Sequence, residues 1–151
     1  MASDPSDIRN WQRRPDGITT SGKLEAHDPA RLAAIGVRHV VNLALDSHPE
    51  ALAGEGALLA AEGIAYTHIP VPFDAPTPEH VAALAEALNA HPGPVHVHCI
   101  MNYRVTAFFY LLDRAAGLPE PEARARMAAV WNPLEDEAAP AAWRALVAGG
   151  A

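Results

Sequence analysis

Apolar and polar positions alternate along the chain in short blocks, and glycines and prolines separate the blocks. A first strand candidate covers residues 17–21, after a polar opening. His27-Asp28-Pro29 opens a helix, with Asp28 as N-cap and Pro29 at the first helical position. Leu32 and Ile35 are its apolar contacts, and Gly36 ends it. From Val37 to Leu45, the apolar positions Val40, Val41, Leu43 and Leu45 leave little polar alternation, the pattern of a strand covered on both faces. A helix over 49–62 follows, weakened by Gly54 and Gly56 and closed by Gly63. The next strand, 64–71, is rich in β-branched and aromatic residues.

A proline-rich loop leads from Pro70 to Pro78. Thr77 caps the helix after it, with Pro78 at the first position and His80 at the third. Val81, Leu84, Ala85 and Leu88 give that helix one apolar face. His91-Pro-Gly-Pro94 is a break, and Val95–His98 is a short strand. Cys99 and a helix over 102–116 follow, ended by Gly117. Two more helices, 120–130 and 140–148, are joined by Trp131-Asn-Pro133. Phe108, Phe109, Leu111 and Leu112 read as helix core, Trp131 and Trp143 as packing anchors, and Glu135-Asp-Glu137 as a solvated helix start. The alternation predicts an α/β fold with a short, mostly parallel central sheet and helices on both faces. It is read as a single domain over 1–151, with residues 1–16 a lead-in free to be flexible. In such sheets ligands bind at the carboxyl ends of the strands, where segments 72–76 and 99–104 stand.

Composition narrows the function. Of 151 residues, 50% are apolar and 19% charged, a globular balance. The net charge of -7 leaves no basic stripe for a nucleic-acid partner, although a local pocket can still take a small anion. The single cysteine excludes an intrachain disulfide and a Cys-rich zinc site. His96 and His98 share a strand face at a metal-like spacing, but no cluster supplies further ligands, so no metal is expected. The opening residues are polar, and no apolar run approaches the roughly 20 residues of a membrane span. A cytoplasmic protein without a membrane partner is expected, its oligomeric state left open.

Val95-His-Val-His-Cys-Ile-Met-Asn-Tyr-Arg-Val-Thr106 carries the chemistry. It reads as strand, tight loop and helix, and a thiol at the loop's start faces the unpaired N–H groups of the helix N-terminus. Those groups favour a thiolate, so Cys99 is read as a nucleophile within reach of solvent; the alternative is a buried structural cysteine. Arg104 lies five positions on, and its planar fork suits a tetrahedral oxyanion. Together they suit nucleophilic attack on phosphorus or sulfur.

At these residues the chain resembles the Cys-based protein tyrosine and dual-specificity phosphatases, whose signature is His-Cys, five residues, Arg, then Ser or Thr. It is most similar to a small bacterial phosphatase-like branch with His-Cys-x-x-Asn-x-Arg-Val-Ser/Thr-Ala-Phe, matched by His98, Cys99, Asn102, Arg104, Val105, Thr106, Ala107 and Phe108. Ile18–Gly22, Val40–Leu43, Tyr66–Val71 and Ala75–Thr77 resemble the same branch in the same order, so the likeness covers roughly residues 16 to 146. The resemblance implies phosphomonoester hydrolysis through a cysteinyl-phosphate, without cofactor, on a phosphorylated substrate or another small oxyanion. Cys99 would be nucleophile, and Ile100, Met101, Asn102, Tyr103 and Arg104 the phosphate loop. His98 and Thr106 would support them, and Asp74 would be general acid with Asp46 as its backup.

The chain also departs from the signature. Four residues separate Cys99 from Arg104, one fewer than in active phosphatases, and Val105 stands where those have a hydroxyl. The loop has no glycine, so any left-handed position falls to Asn102. Two alternatives follow: a non-catalytic oxyanion-binding descendant, and a sulfurtransferase holding a persulfide, whose loop length resembles that of rhodaneses.

Overall fold

Strand β5 (Val95–His98) occupies the middle of a five-stranded sheet, and that position places Cys99. The computed structural model describes residues 2–91 and 93–149. The sheet order is β1 (Gln12–Arg13), β2 (Thr19–Ser21), β5, β3 (His39–Asn42) and β4 (Ala65–His68). All neighbouring pairs are parallel except β1 with β2. Val97 thus lies between Thr20 and Val41.

Alternate residues of the central strands point to opposite faces. Val41, Val95 and Val97 join the larger core with Leu84 of α3 (Pro78–Ala90), Phe108 of α4 (Tyr103–Ala115), Met127 of α5 (Glu120–Ala128) and Trp143 of α6 (Ala141–Gly149). Val40 joins a smaller core with Leu32 of α1 (Asp28–Ala34) and Leu59 of α2 (Glu55–Ala61). Helices cover both faces, as the alternation of elements predicts.

His96 is a histidine in the centre of a sheet, which needs a reason. Both its ring nitrogens are hydrogen-bonded at 2.8 Å, one to Thr19 Oγ1 and one to Ser21 Oγ. Its ring stacks on Trp11 with centroids 5.1 Å apart. Burial with full hydrogen bonding is tolerable for a neutral ring but not for a charged one.

The structure corrects several boundaries. His27, not Asp28, holds the N-cap position of helix α1, with no side-chain cap, and Asp28 is its first residue: the Asp28 carboxylate accepts from the Glu25 amide at 2.7 Å and from Arg31 at 2.9 Å. Helix α2 starts at Glu55, not 49, because Gly54 adopts a left-handed conformation (φ 69°) that a continuing helix excludes. Strand β1 escapes a periodicity reading because it has two residues. The 135–137 run starts no helix; α6 begins at Ala141, and Asp136 instead accepts the Trp131 indole N–H at 2.8 Å. Thr77 does cap α3, in a reciprocal box with His80. In the break before β5, Pro92 lies outside the described residues. The lead-in is part of the packed structure, with Ile8 in the smaller core. No helix is long and apolar enough to cross a membrane.

Burial holds the His96 pKa well below its ordinary value, with the neighbouring His98 acting the same way, and burial lowers His39 as well. A depressed histidine pKa stabilises the fold fully above the unfolded value of about 6.5, and this contribution is lost as pH falls below it. Arginine partners hold the carboxyls of Asp4, Asp7 and Glu50 below their usual range, so those groups matter only at more acid pH. The unfolding free energy is therefore expected to fall between pH 7 and 5, by at most about 1.4 kcal/mol per pH unit per histidine, and the denaturant midpoint with it. A His96→Leu variant, less stable overall, should show a flatter pH dependence over that interval.

Candidate active site

Cys99 follows β5 directly and α4 starts four residues later, so the intervening loop lies at the carboxyl edge of the sheet. Asn102 is the N-cap of α4, at φ 68° and ψ 6°. It is the left-handed residue that a glycine-free loop requires, and asparagine bears that conformation at little cost. Its side-chain amide donates to the Asn10 carbonyl at 2.8 Å and to Thr20 Oγ1 at 3.0 Å, which fixes the turn.

The loop's carbonyls are tied to neighbours. Ile100 O accepts from the Lys23 amide at 2.9 Å, and Met101 O from Asn10 Nδ2 at 2.9 Å. Asn102 O accepts from the Thr106 amide and, at 3.0 Å, from the Thr106 hydroxyl. The N–H groups of residues 100–105, by contrast, have no partner among the described residues. A run of unpaired amides at the head of a 13-residue helix is an anion cradle.

Gly22 makes the close approach possible. A Cβ there would stand 2.4 Å from Ile100 O, so any side chain would push the loop off its seat. The lead-in adds a brace of its own. Arg9 reaches Ile100 O and the Met101 sulfur at 3.4 Å, and Asn10, itself left-handed at φ 51°, donates to Met101 O and accepts from the Asn102 side-chain amide.

Cys99, Ile100, Met101, Tyr103 and Arg104 line one cavity of about 350 Å³ with Leu45, Ser47, His48 and Phe73. Cys99 lines this cavity but is wholly buried, so the expected solvent access of the thiol is not met in this conformation. Arg104 is 6% exposed. Its Nη1 donates to the Val71 carbonyl at 2.9 Å and its Nε has no partner. A buried cationic donor left unpaired is costly, and an anion in the cavity would satisfy it.

His98 sits behind the loop. Its Nδ1 lies 3.2 Å from Cys99 O, and its Nε2 lies 2.6 Å from Glu55 Oε2. Glu55 is 5% exposed, and Asn42 donates to its other oxygen at 3.5 Å and to the Tyr66 hydroxyl at 3.1 Å. Burial, with the Glu55 and Asp46 charges nearby, pushes the Tyr66 phenol up to about 12 against the opposing Asn42 hydrogen bond, so it stays protonated. Glu55 is missed in the sequence because 49–62 reads there as one continuous helix, with Glu55 in its middle. A carboxylate directly after Gly54, at the true start of α2, is the signal that was available.

Three expected residues stand apart. The Thr106 hydroxyl is spent on α4 carbonyls, and the residue lines a different cavity with Arg14 and Asp113. It steadies Asn102 rather than facing the thiol. Asp74 is exposed and makes no side-chain hydrogen bond among the described residues; its neighbour Phe73, not Asp74 itself, forms the cavity wall. Asp46 lies against His68 at 3.8 Å and lines a third cavity. Among the described residues, no three His, Cys, Asp or Glu side chains gather as metal ligands.

With this geometry in view, the comparisons are specific. The sequence model of the family described as "Beta-lactamase hydrolase-like protein, phosphatase-like domain" matches residues 12–116. A DUF442 protein of Shewanella putrefaciens CN-32 is 30% identical and superposes with a TM-score of 0.82, over 97% of this chain and 91% of that one. A Neisseria meningitidis Z2491 protein is 19% identical with a TM-score of 0.72, over 89% and 93%. TpbA of P. aeruginosa, solved in complex with pTyr, is 23% identical with a TM-score of 0.72, over 99% and 91%. No curated protein matches the chain. The family match spans β1 to the end of α4, the Cys99 loop included, and the chain therefore belongs to the family of the beta-lactamase hydrolase-like protein, phosphatase-like domain.

Proposed function

We propose that this phosphatase-like chain is a phosphomonoester hydrolase that works through a cysteinyl-phosphate. The observation that carries the reading is the unpaired amides of residues 100–105 beside the orphaned Arg104 Nε, in a cavity lined by Cys99. Amides and guanidinium hold the three equatorial oxygens of the transferring group. The Cys99 thiolate attacks phosphorus, the S–P bond forms, and the P–O bond to the leaving group breaks. Asp74 delivers its proton to that oxygen from the loop beside Phe73. Water then attacks phosphorus, gives a proton back to the Asp74 carboxylate, and the S–P bond breaks to release phosphate and the thiolate. His98, held by Glu55, positions the Cys99 carbonyl and with it the start of the loop. The walls Leu45, Phe73, Met101 and Tyr103 are apolar or aromatic and suit an aryl ester, and TpbA was solved with pTyr.

The reading also sets a limit. A four-residue spacing supplies one amide fewer than the five-residue loop, and loss of one oxyanion donor costs about 10²–10³ in rate. The Thr106 hydroxyl, engaged on Asn102 O, is not free to help the thiolate leave. Slow turnover of p-nitrophenyl phosphate is expected, abolished in Cys99→Ser. Rapid sulfur transfer from thiosulfate to cyanide, with no phosphoester hydrolysed, would establish the sulfurtransferase alternative.

Arg104→Lys keeps a charge but loses the fork. Phosphate protection of Cys99 against iodoacetamide should weaken by about tenfold or more, the cost of roughly one charge-assisted hydrogen bond. Unaltered protection would mean that Arg104 does not meet the anion.

In Asp74→Asn, turnover of phenyl phosphate should fall by about 10²-fold or more, and turnover of p-nitrophenyl phosphate, whose leaving group needs little protonation, far less. Equal losses on both esters would assign Asp74 a structural role, and no loss on either would point to Asp46.

A further inference from the structure

The loop that carries Asp74 has few attachments of its own. It contains Pro70, Pro72 and Pro76, which donate no backbone hydrogen bond, and its one internal backbone bond runs from the Ala75 amide to Pro72 O at 3.1 Å. Phe73 is 37% exposed, so its own burial does little to hold it. Its start is anchored by Val71, which is wholly buried and whose amide donates to Leu43 O at 3.0 Å; beyond Val71, what holds the loop comes from two other parts of the chain. Arg104 donates to Val71 O, and its guanidinium stands 5.7 Å from the Phe73 ring centroid. The indole N–H of Trp143, on α6, donates to the Phe73 carbonyl at 2.5 Å.

Trp131 completes the connection. Its ring stacks on Tyr103, the first residue of α4, with centroids 4.8 Å apart and planes 10° from parallel. On its other side it meets Phe73 at 5.7 Å, and Trp143 edge-on at 5.8 Å. Trp131 therefore touches both the end of the Cys99 loop and the wall beside Asp74. Its orientation is fixed by the bond from its indole N–H to Asp136, and that of Trp143 by full burial against Phe108. Both tryptophans lie beyond residue 116, where the family match ends. The chemistry-bearing loops belong to the matched region, whereas the clamp on one of them is supplied by the segment after it.

We propose that Trp143 and Trp131 latch the Phe73–Asp74 loop against the Cys99 cavity, and so act as positioning residues for the general acid. The positioning role rests on the hydrolase reading above; the latch itself does not. Without the Trp143 bond the Phe73 carbonyl has no partner among the described residues, and the loop is free to swing on its prolines. Asp74, which stands beside the cavity without lining it, would then lose its fixed approach to the leaving group, while the cradle of amides would keep its shape, since the lead-in and Gly22 hold it from the opposite side.

Trp143→Phe keeps an aromatic ring and deletes the donor. In a folded variant, turnover of phenyl phosphate should fall by about tenfold or more and that of p-nitrophenyl phosphate by less than about threefold, the signature of a misplaced acid. Phosphate protection of Cys99 should be retained. In an Asp74→Asn background the same substitution should cost nothing further on phenyl phosphate. The Ala75 amide should exchange with solvent about tenfold faster than in the wild type, with the core amides of β5 unchanged. Equal losses on both esters, or an undiminished loss in the Asp74→Asn background, would overturn the positioning role, and an unchanged Ala75 amide would overturn the latch. Trp131→Phe is the second variant, with the same expected pattern. Should neither variant fold, the wild-type Ala75 amide decides: protection close to that of β5 supports the latch, and exchange at an open-loop rate refutes it. A wild type inert toward both esters defeats the hydrolase reading alone, and the exchange measurement then judges the latch by itself.

Discussion

Between Cys99 and Arg104 the backbone must tie off its carbonyls while leaving its amides without partners. Left to itself a chain does the opposite, since an unpaired buried N–H costs on the order of 1–3 kcal/mol. The turn is held because each neighbouring element contributes a donor. The Lys23 amide, after β2, takes Ile100 O; Asn10 in the lead-in takes Met101 O; and α4 itself takes Asn102 O. Remove these and the amides would find carbonyls of their own, and the cradle would close. The rest of the architecture serves that arrangement: β5 in mid-sheet fixes where the loop begins, α4 fixes where it ends, and Gly22 leaves room between them.

Under the proposed function, the pull of the site on an anion has to be local. A chain of net charge -7 repels anions at long range, so attraction has to come from buried dipoles and one buried cation. Arg104 supplies the cation and the amides supply the dipoles. Both gain strength from the apolar cavity walls, because field lines there run through low-dielectric material rather than water. Burial also explains the second layer. His98 and Glu55 are too deep to meet a substrate and too costly to leave apart, and at 2.6 Å they settle each other while His98 Nδ1 sits against Cys99 O. His96, one pleat away, is satisfied by hydroxyls alone and stays neutral. Two histidines on one strand face thus do different work, one bracing the loop and the other closing the sheet beneath it.

The lead-in and the C-terminal helices act as opposite jaws on this centre. Arg9 and Asn10 press on the Cys99 loop from the β2 side, and the Trp131–Trp143 pair holds the Phe73 loop from the α4 side. A glycine-free loop with one residue fewer gains its shape from outside contacts, where a longer glycine-bearing loop would gain more of it from backbone freedom.

The order of strands and helices, the two-residue β1 excepted, was legible in the amino-acid sequence, because glycine, proline and the apolar spacing act over a few residues. So were the membership of Cys99 and Arg104 in one loop and the need for Asn102 to turn left-handed, both of which follow from short spacings along the chain. Thr77 at the head of α3 was legible for the same reason. Other features depended on residues far apart in the chain. Glu55 meets His98 across 43 positions, Asn102 reaches Asn10 across 92, and Trp143 reaches Phe73 across 70, and no local pattern encodes such pairs. Whether Thr106 faced the thiol or the helix carbonyls turned on where α4 starts. Whether Asp74 lined the cavity turned on how the prolines bend the loop, which leaves Phe73 on the wall instead. The sequence by itself determined which groups the protein has for chemistry and the local turns that carry them. Only the tertiary structure decided which of them share a cavity, because that depends on long-range packing whose energy comes from burial and not from neighbours along the chain.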